Sequence, residues 1–118
     1  MLRLPGSVRV FLCLTAVDMR RSFDGLAAMA EHVVGQDPLS GHLFVFRNRR
    51  GDRVKILVWD QSGFWVLYKR LEHGTFAWPA DEAPGAVTIA SRDLLVLLAG
   101  VDLTHTRRRR WYDRVPTA

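Results

Sequence analysis

This chain has one cysteine, four scattered histidines and no apolar run of membrane-spanning length. Cys13 alone cannot close an internal disulfide, and its place within VFLCL reads as that of a small buried hydrophobe. His32, His42, His73 and His105 lie far apart, with no Cys-x-x-Cys or His-x-Glu beside them, so neither a metal site nor a cofactor is implied. There is no Gly-rich phosphate loop and no Gly-x-Ser-x-Gly elbow, which leaves nucleotide hydrolysis and serine-type acyl transfer without a motif. Nothing approaches the roughly 20 apolar residues that a bilayer crossing needs. Arg3 and Arg9 precede VFLCLTAV in the manner of a leader, but no small-x-small cleavage site follows and the run passes into charged DMRR. The expectation is a cytoplasmic protein with no membrane partner and no small-molecule substrate.

Carboxylates are also scarce, 12 against 17 Lys and Arg. A two-metal nuclease site would have to be built from Asp18, Asp24, Asp52, Asp60 and Glu72. Each has an ordinary structural use: Asp18 as a helix cap, Asp52 and Asp60 as turn formers, Glu72 past a strand end. Asp52 and Asp60 bracket one strand and would sit about 25 Å apart at the usual rise per residue. No catalytic residue is therefore assigned, and the chain is expected not to be an enzyme.

The 118 residues suffice for one continuous core, expected over 1–104, with 105–118 as a basic, flexible C-terminal tail. Basic and acidic residues balance up to Ser40, and residues 80–104 are acidic. The positive excess lies in the tail and in Gly41–Pro79, a segment that also holds most of the aromatics. In that segment three apolar runs alternate with Arg49-Arg50-Gly51 and Gln61-Ser62-Gly63, the spacing of an antiparallel meander with strands near 42–48, 52–60 and 64–71. Three-residue loops ending in a left-handed glycine would set Asn48 opposite Asp52 and Asp60 opposite Phe64. One face would then hold Phe44, Phe46, Val54, Ile56, Val58, Val66 and Tyr68. The other would hold Leu43, Val45, Leu57, Trp59, Trp65 and Leu67 at one end and Arg47, Arg53, Lys55 and Lys69 at the other.

Two readings of that second face stand side by side. With Arg49 and Arg50 of the first turn, the cations suit phosphates and the tryptophans suit stacking or a protein partner. Alternatively the sheet is covered on both sides and the Lys and Arg stems lie over apolar neighbours. Around the meander, Val8–Leu14 reads as a further, central strand. A helix runs from an Asp18 or Ser22 cap to Val34, with Phe23, Leu26, Ala27, Ala30, Val33 and Val34 on one face. Val87–Ala90 reads as a short strand, and Ser91 caps a helix over Arg92–Ala99 that is apolar nearly all round. The fold class is α+β: an antiparallel meander with an additional N-terminal strand, packed by two helices. Arg107, Arg108, Arg109 and Arg110, followed by Trp111 and Tyr112, read as an electrostatic arm for nucleic acid.

Three blocks, Val17–Val33, Asp37–Asp60 (DPLSGHLFVFRNRRGDRVKILVWD) and Tyr68–Pro79 (YKRLEHGTFAWP), resemble in order and spacing the TnpB accessory protein of bacterial insertion sequences of the IS-sixty-six type. That family is distinct from the RNA-guided nuclease sharing the TnpB name. The resemblance implies a small non-catalytic protein encoded beside a DDE-type transposase and assisting transposition. It supplies no binding or catalytic position. Gln61-Ser62 departs from the more usual Asp-Gly-type turn, and the arginine run is longer than typical. Expected partners are DNA, at element ends or target, and the cognate transposase. An adaptor that organises the transposase without touching DNA is the alternative.

Overall fold

Each apolar run of the meander forms a strand, and so does the N-terminal run. A computed structural model describes residues 7–80, 84–100 and 113–115. The strands are β1 (Val10–Cys13), β2 (Leu43–Arg47), β3 (Arg53–Trp59), β4 (Phe64–Arg70), β5 (Ala86–Ile89) and β6 (Asp113–Arg114). The helices are α1 (Phe23–Met29), extended by a π-helical turn over Ala30–Val34, and α2 (Ser91–Leu98). They build a mixed six-stranded sheet in the order β4-β3-β2-β1-β5-β6. Only β1 and β2 are parallel, because α1 intervenes between them as a crossover, while neighbours joined by tight turns run antiparallel. β1 is central and buried along its whole length, as its unbroken apolar run requires.

The expected register of β3 is corrected by one residue at each end. Asn48 N–H donates to Arg53 O at 3.1 Å, and Asn48 Oδ1 accepts the N–H groups of Asp52 and Arg53, which draws Asp52 into the turn. Gly51 takes the left-handed conformation at φ 76°, as expected, but the loop has four residues, Arg49 to Asp52. In the second turn Asp60 Oδ1 accepts the N–H groups of Ser62 and Gly63, and Gln61, not the glycine, is left-handed at φ 83°. Trp59 then pairs with Phe64 and Arg47 with Val54. Each extra residue inverts the next strand, so β3 turns over while β2 and β4 keep the faces they were expected to share.

Both faces are covered. On one, Leu26, Ala30 and Val34 of α1 and its π-turn bury Phe11, Cys13, Phe44, Phe46 and Leu57. On the other, Leu94 and Leu97 of α2, with Phe76, bury Val10, Leu12, Leu43, Val45, Val54, Ile56, Val58, Val87 and Ile89. Phe23 was expected in the helix's core face but is half exposed. Leu95 and Val96 face away from the sheet and are exposed. Neither helix start uses a side-chain cap; Asp18 Oδ1 instead accepts Arg20 N–H at 2.8 Å ahead of α1.

The expected boundary at residue 104 lies outside the described residues. Beyond it, Asp113 and Arg114 pair with Thr88 and Val87, and Val115 N–H donates to Ala86 O at 3.1 Å. Among the described residues no helix is long and apolar enough to cross a membrane.

Candidate nucleic-acid interface

Arg47, Arg53, Lys55 and Lys69 were expected to share one face, and the inverted β3 divides them. Arg47 and Lys69 fall on the α2 side; Arg53 and Lys55 fall on the α1 side. Lys55 therefore stands opposite Tyr68, and Arg53 stands opposite Arg70.

Three of the four cations are committed to the fold. Lys55 is 7% exposed, and its Nζ donates to Met19 O at 2.7 Å and Arg21 O at 2.8 Å, 4.7 Å from the centre of the Tyr68 ring. It pins the segment that leads into α1. Arg47 donates to Leu14 O at 3.1 Å and Asn48 O at 3.3 Å and lies 5.8 Å from the Trp78 ring centre. Burial draws the Arg47 guanidinium below its usual range, and its Nε has no partner among the described residues. Lys69 Nζ donates to Leu98 O at 2.7 Å, placing a positive charge on the last carbonyls of α2, where the helix dipole favours it.

The cations left to solvent gather elsewhere. Arg49 and Arg50 are exposed on the β2–β3 turn, and among the described residues neither joins an ion pair. They line a cleft of about 470 Å³ between that turn, including Asn48, Asp52 and Arg53, and the 16–19 segment. Arg53 is also a wall of a second hollow of about 260 Å³, shared with Tyr68, Arg70 and Glu72. Arg53 donates to the Tyr68 hydroxyl at 3.1 Å, a bond that raises the guanidinium's pKa. Tyr68 was expected in the core but is 49% exposed. The two hollows share Arg53, which stands directly opposite Arg70 on β4 with Tyr68 beside the pair.

Acidic groups on these hollows are already occupied. The Arg20 side chain holds the Asp18 carboxyl at about pKa 2 through hydrogen bonds at 2.7 to 3.1 Å. The Asn48 amide lowers Asp52 in the same direction, and Arg70 pairs with Glu72 at 2.9 Å. Burial pushes the Cys13 thiol up, which suits its place as core. No group of three or more His, Cys, Asp or Glu is placed to hold a metal among the described residues.

Trp59 and Trp65, expected as one partner-binding pair, sit on opposite faces. Trp59 packs edge-on to Phe64 at 5.0 Å, whereas Trp65 is 55% exposed and donates its indole N–H to Asp60. Arg107, Arg108, Arg109 and Arg110 lie outside the described residues.

The model of the family described as IS66 Orf2 like protein matches residues 8–108. The chain belongs to that family. This is the family suggested by the three sequence blocks, and it places the Orf2-like chain among accessory proteins associated with transposition. The chain is 40% identical over 105 residues to "Uncharacterized protein y4hO" of Sinorhizobium fredii, covering 89% of this chain and 90% of the relative. It is 35% identical over 102 residues to "Uncharacterized protein y4jC" of the same organism, covering 86% of each. No solved structure matches it.

Of the residues named from the sequence, Arg49, Arg50 and Arg53 line one cleft in this Orf2-like chain. Sequence reasoning missed Tyr68, Arg70 and the 16–19 wall of the cleft. A local signal existed for the first two: Asn48 and Asp60 are residues whose side chains capture downstream N–H groups, and that lengthens a turn. Nothing local announced the cleft wall.

Proposed function

We propose that this protein is a non-catalytic accessory factor for DNA transposition. It holds nucleic acid in the groove formed by Arg49, Arg50, Arg53, Tyr68 and Arg70 and acts in the cytoplasm beside its transposase. One observation supports this reading: Arg53 walls both hollows, which brings four arginines and an exposed ring to adjoining sites. Guanidinium groups neutralise phosphates, and a tyrosine face beside them accepts a base or sugar. Contacts of this kind position a duplex or strand without reading its sequence. The Arg107–Arg110 run would add further phosphate contacts. Arg47, Lys55 and Lys69 are not part of the proposal, since their donors serve backbone carbonyls.

The test is the salt dependence of binding to a labelled duplex, followed by anisotropy. Changing Arg49 and Arg50 together to glutamine should lower the slope of log K against log salt by about two phosphate contacts. Lys69→Gln should leave the slope alone. An unaltered slope in the double variant removes the groove from DNA binding.

A second reading, an adaptor that organises the transposase without contacting DNA, rests on Leu95 and Val96, two apolar side chains that α2 turns outward. Transposase co-purification that survives high salt and is lost in Leu95→Glu would favour it, because apolar contacts are not screened.

A further inference from the structure

β4 closes the sheet with its outer edge open: among the described residues no strand pairs beyond it. Asp60 N–H reaches Gly63 O at 3.1 Å and Leu71 N–H reaches Asp52 O at 2.8 Å, at the two ends of an unbroken β3–β4 register. Bonded and non-bonded pairs alternate in an antiparallel ladder, so Trp65, Leu67 and Lys69 turn their peptide groups toward β3. Phe64, Val66, Tyr68 and Arg70 turn theirs outward. Edge strands are ordinarily blunted by proline, a bulge, charged side chains or a covering loop; this seven-residue strand has neither proline nor bulge, and its charges, Lys69 and Arg70, are confined to one end. Its side chains Trp65, Leu67 and Tyr68 are exposed.

We propose that β4 is a self-association edge, where two copies of this chain pair antiparallel about a two-fold axis at Leu67. The strand FWVLYKR is complementary to itself in that register. All four outward-facing residues form bonded pairs: Phe64 with Arg70 of the second copy, Val66 with Tyr68 of the second copy, and the reverse. On the other face Trp65 lies opposite Lys69 of the second copy, and Leu67 lies opposite its own counterpart. Aromatic meets cation, apolar meets apolar, and no like charges face each other. A two-residue slip one way leaves Arg70 beyond the partner strand; a slip the other way leaves Phe64 beyond it. The apolar first half and cationic second half of β4 thus select a second copy, through a closed isologous contact. The two six-stranded sheets become one continuous sheet.

The register gives a sharp test on the full chain. Leu67→Cys places two thiols across a non-bonded pair with Cα atoms about 4.5 Å apart, within disulfide reach. Cys13 is buried and does not compete. Trp65→Cys places its two thiols about 13 Å apart, four residues out of step. Under mild oxidation Leu67→Cys should form a covalent dimer, Trp65→Cys should not, and a mixture of Trp65→Cys with Lys69→Cys should cross-link. In sedimentation equilibrium, Leu67→Lys and Leu67→Glu should each be monomeric and their mixture dimeric, with circular dichroism verifying the fold of each.

Several outcomes overturn the proposal. One is a wild-type monomer at concentrations on the order of 100 μM, where even a micromolar association is nearly complete. Others are equal cross-linking at positions 65 and 67, a Leu67→Lys dimer, or a wild-type monomer whose Leu67→Cys thiol cross-links only to the transposase.

Discussion

Replacing Lys55 with methionine separates a structural lysine from a DNA-binding one. Methionine keeps most of the stem's length and packing while deleting the ammonium. Two charge-assisted bonds to Met19 O and Arg21 O are lost, each worth roughly 1.5–3 kcal/mol net, with about 1 kcal/mol more from the Tyr68 ring. Against this, a charge no longer has to leave water, and solvent can reach the freed carbonyls of an exposed segment. The balance is a loss of about 2–3 kcal/mol, comparable with other changes that break a buried polar network. For a domain of this size that lowers Tm by about 10 °C. Urea unfolding followed by circular dichroism measures it, with Arg50→Gln as the exposed control, expected within about 0.5 kcal/mol of wild type. If Lys55→Met is no less stable than Arg50→Gln, Lys55 does not pin the α1 approach and the inverted β3 register is wrong. The salt slope for DNA should be unchanged in folded Lys55→Met, whose ammonium serves backbone carbonyls.

The Trp65 indole holds the Asp60 carboxyl below the usual aspartate range, so their contact is intact above that range and is lost as pH falls through the depressed value. Following the Trp65 indole N–H resonance against pH should show this titration, and Trp65→Phe should return Asp60 toward its ordinary value; an ordinary wild-type value would refute the contact. Ending the chain at residue 112 removes β6 and the Val115 N–H bond to Ala86 O, and should cost about 1–2 kcal/mol, whereas ending it at 115 should cost nothing measurable. Equal stability of the two truncations in urea would show that β6 contributes nothing to the sheet.

The positions of β1 to β5 and of both helices were legible because their signals are local, whereas β6 fell in the segment expected as a tail. Alternating runs set β2 to β4, an unbroken apolar run set β1, and 3.6-residue spacing set α1. Face assignment failed on a single residue per turn. Glycine spacing argued for three-residue loops, but Asn48 and Asp60 each accept two downstream N–H groups and lengthen the turn by one. Inverting β3 alone then sent Lys55 inward and split a patch that looked continuous in the sequence. The covered-sheet reading holds for Arg47 and Lys55, while exposed Lys69 is held to the end of α2. The destination of Lys55 could not be read locally, since its acceptors lie 36 and 34 residues earlier in the chain. Arg49 and Arg50 were legible as exposed because a turn leaves them nowhere else to go. The outward pair Leu95 and Val96 followed from a helix that is apolar on more sides than one sheet can cover.

The central place of β1 has a consequence for the order of folding. Its partners arrive at very different times: Leu43 to Val45 on one side, and Ala86 to Ile89 on the other. β2, β3 and β4 close through two short turns and gain their contacts with little loop entropy, whereas Val10 must wait for Ile89 to complete its second ladder. During synthesis the meander and α1 can assemble around β1 while its other edge remains open. Until Ala86–Ile89 emerges, Val10–Cys13 presents four apolar residues and a free row of peptide groups to any strand nearby. The interval before Ala86–Ile89 emerges therefore sets how long this chain is exposed to mispairing, a vulnerability invisible in the finished sheet, where Val10–Cys13 are buried.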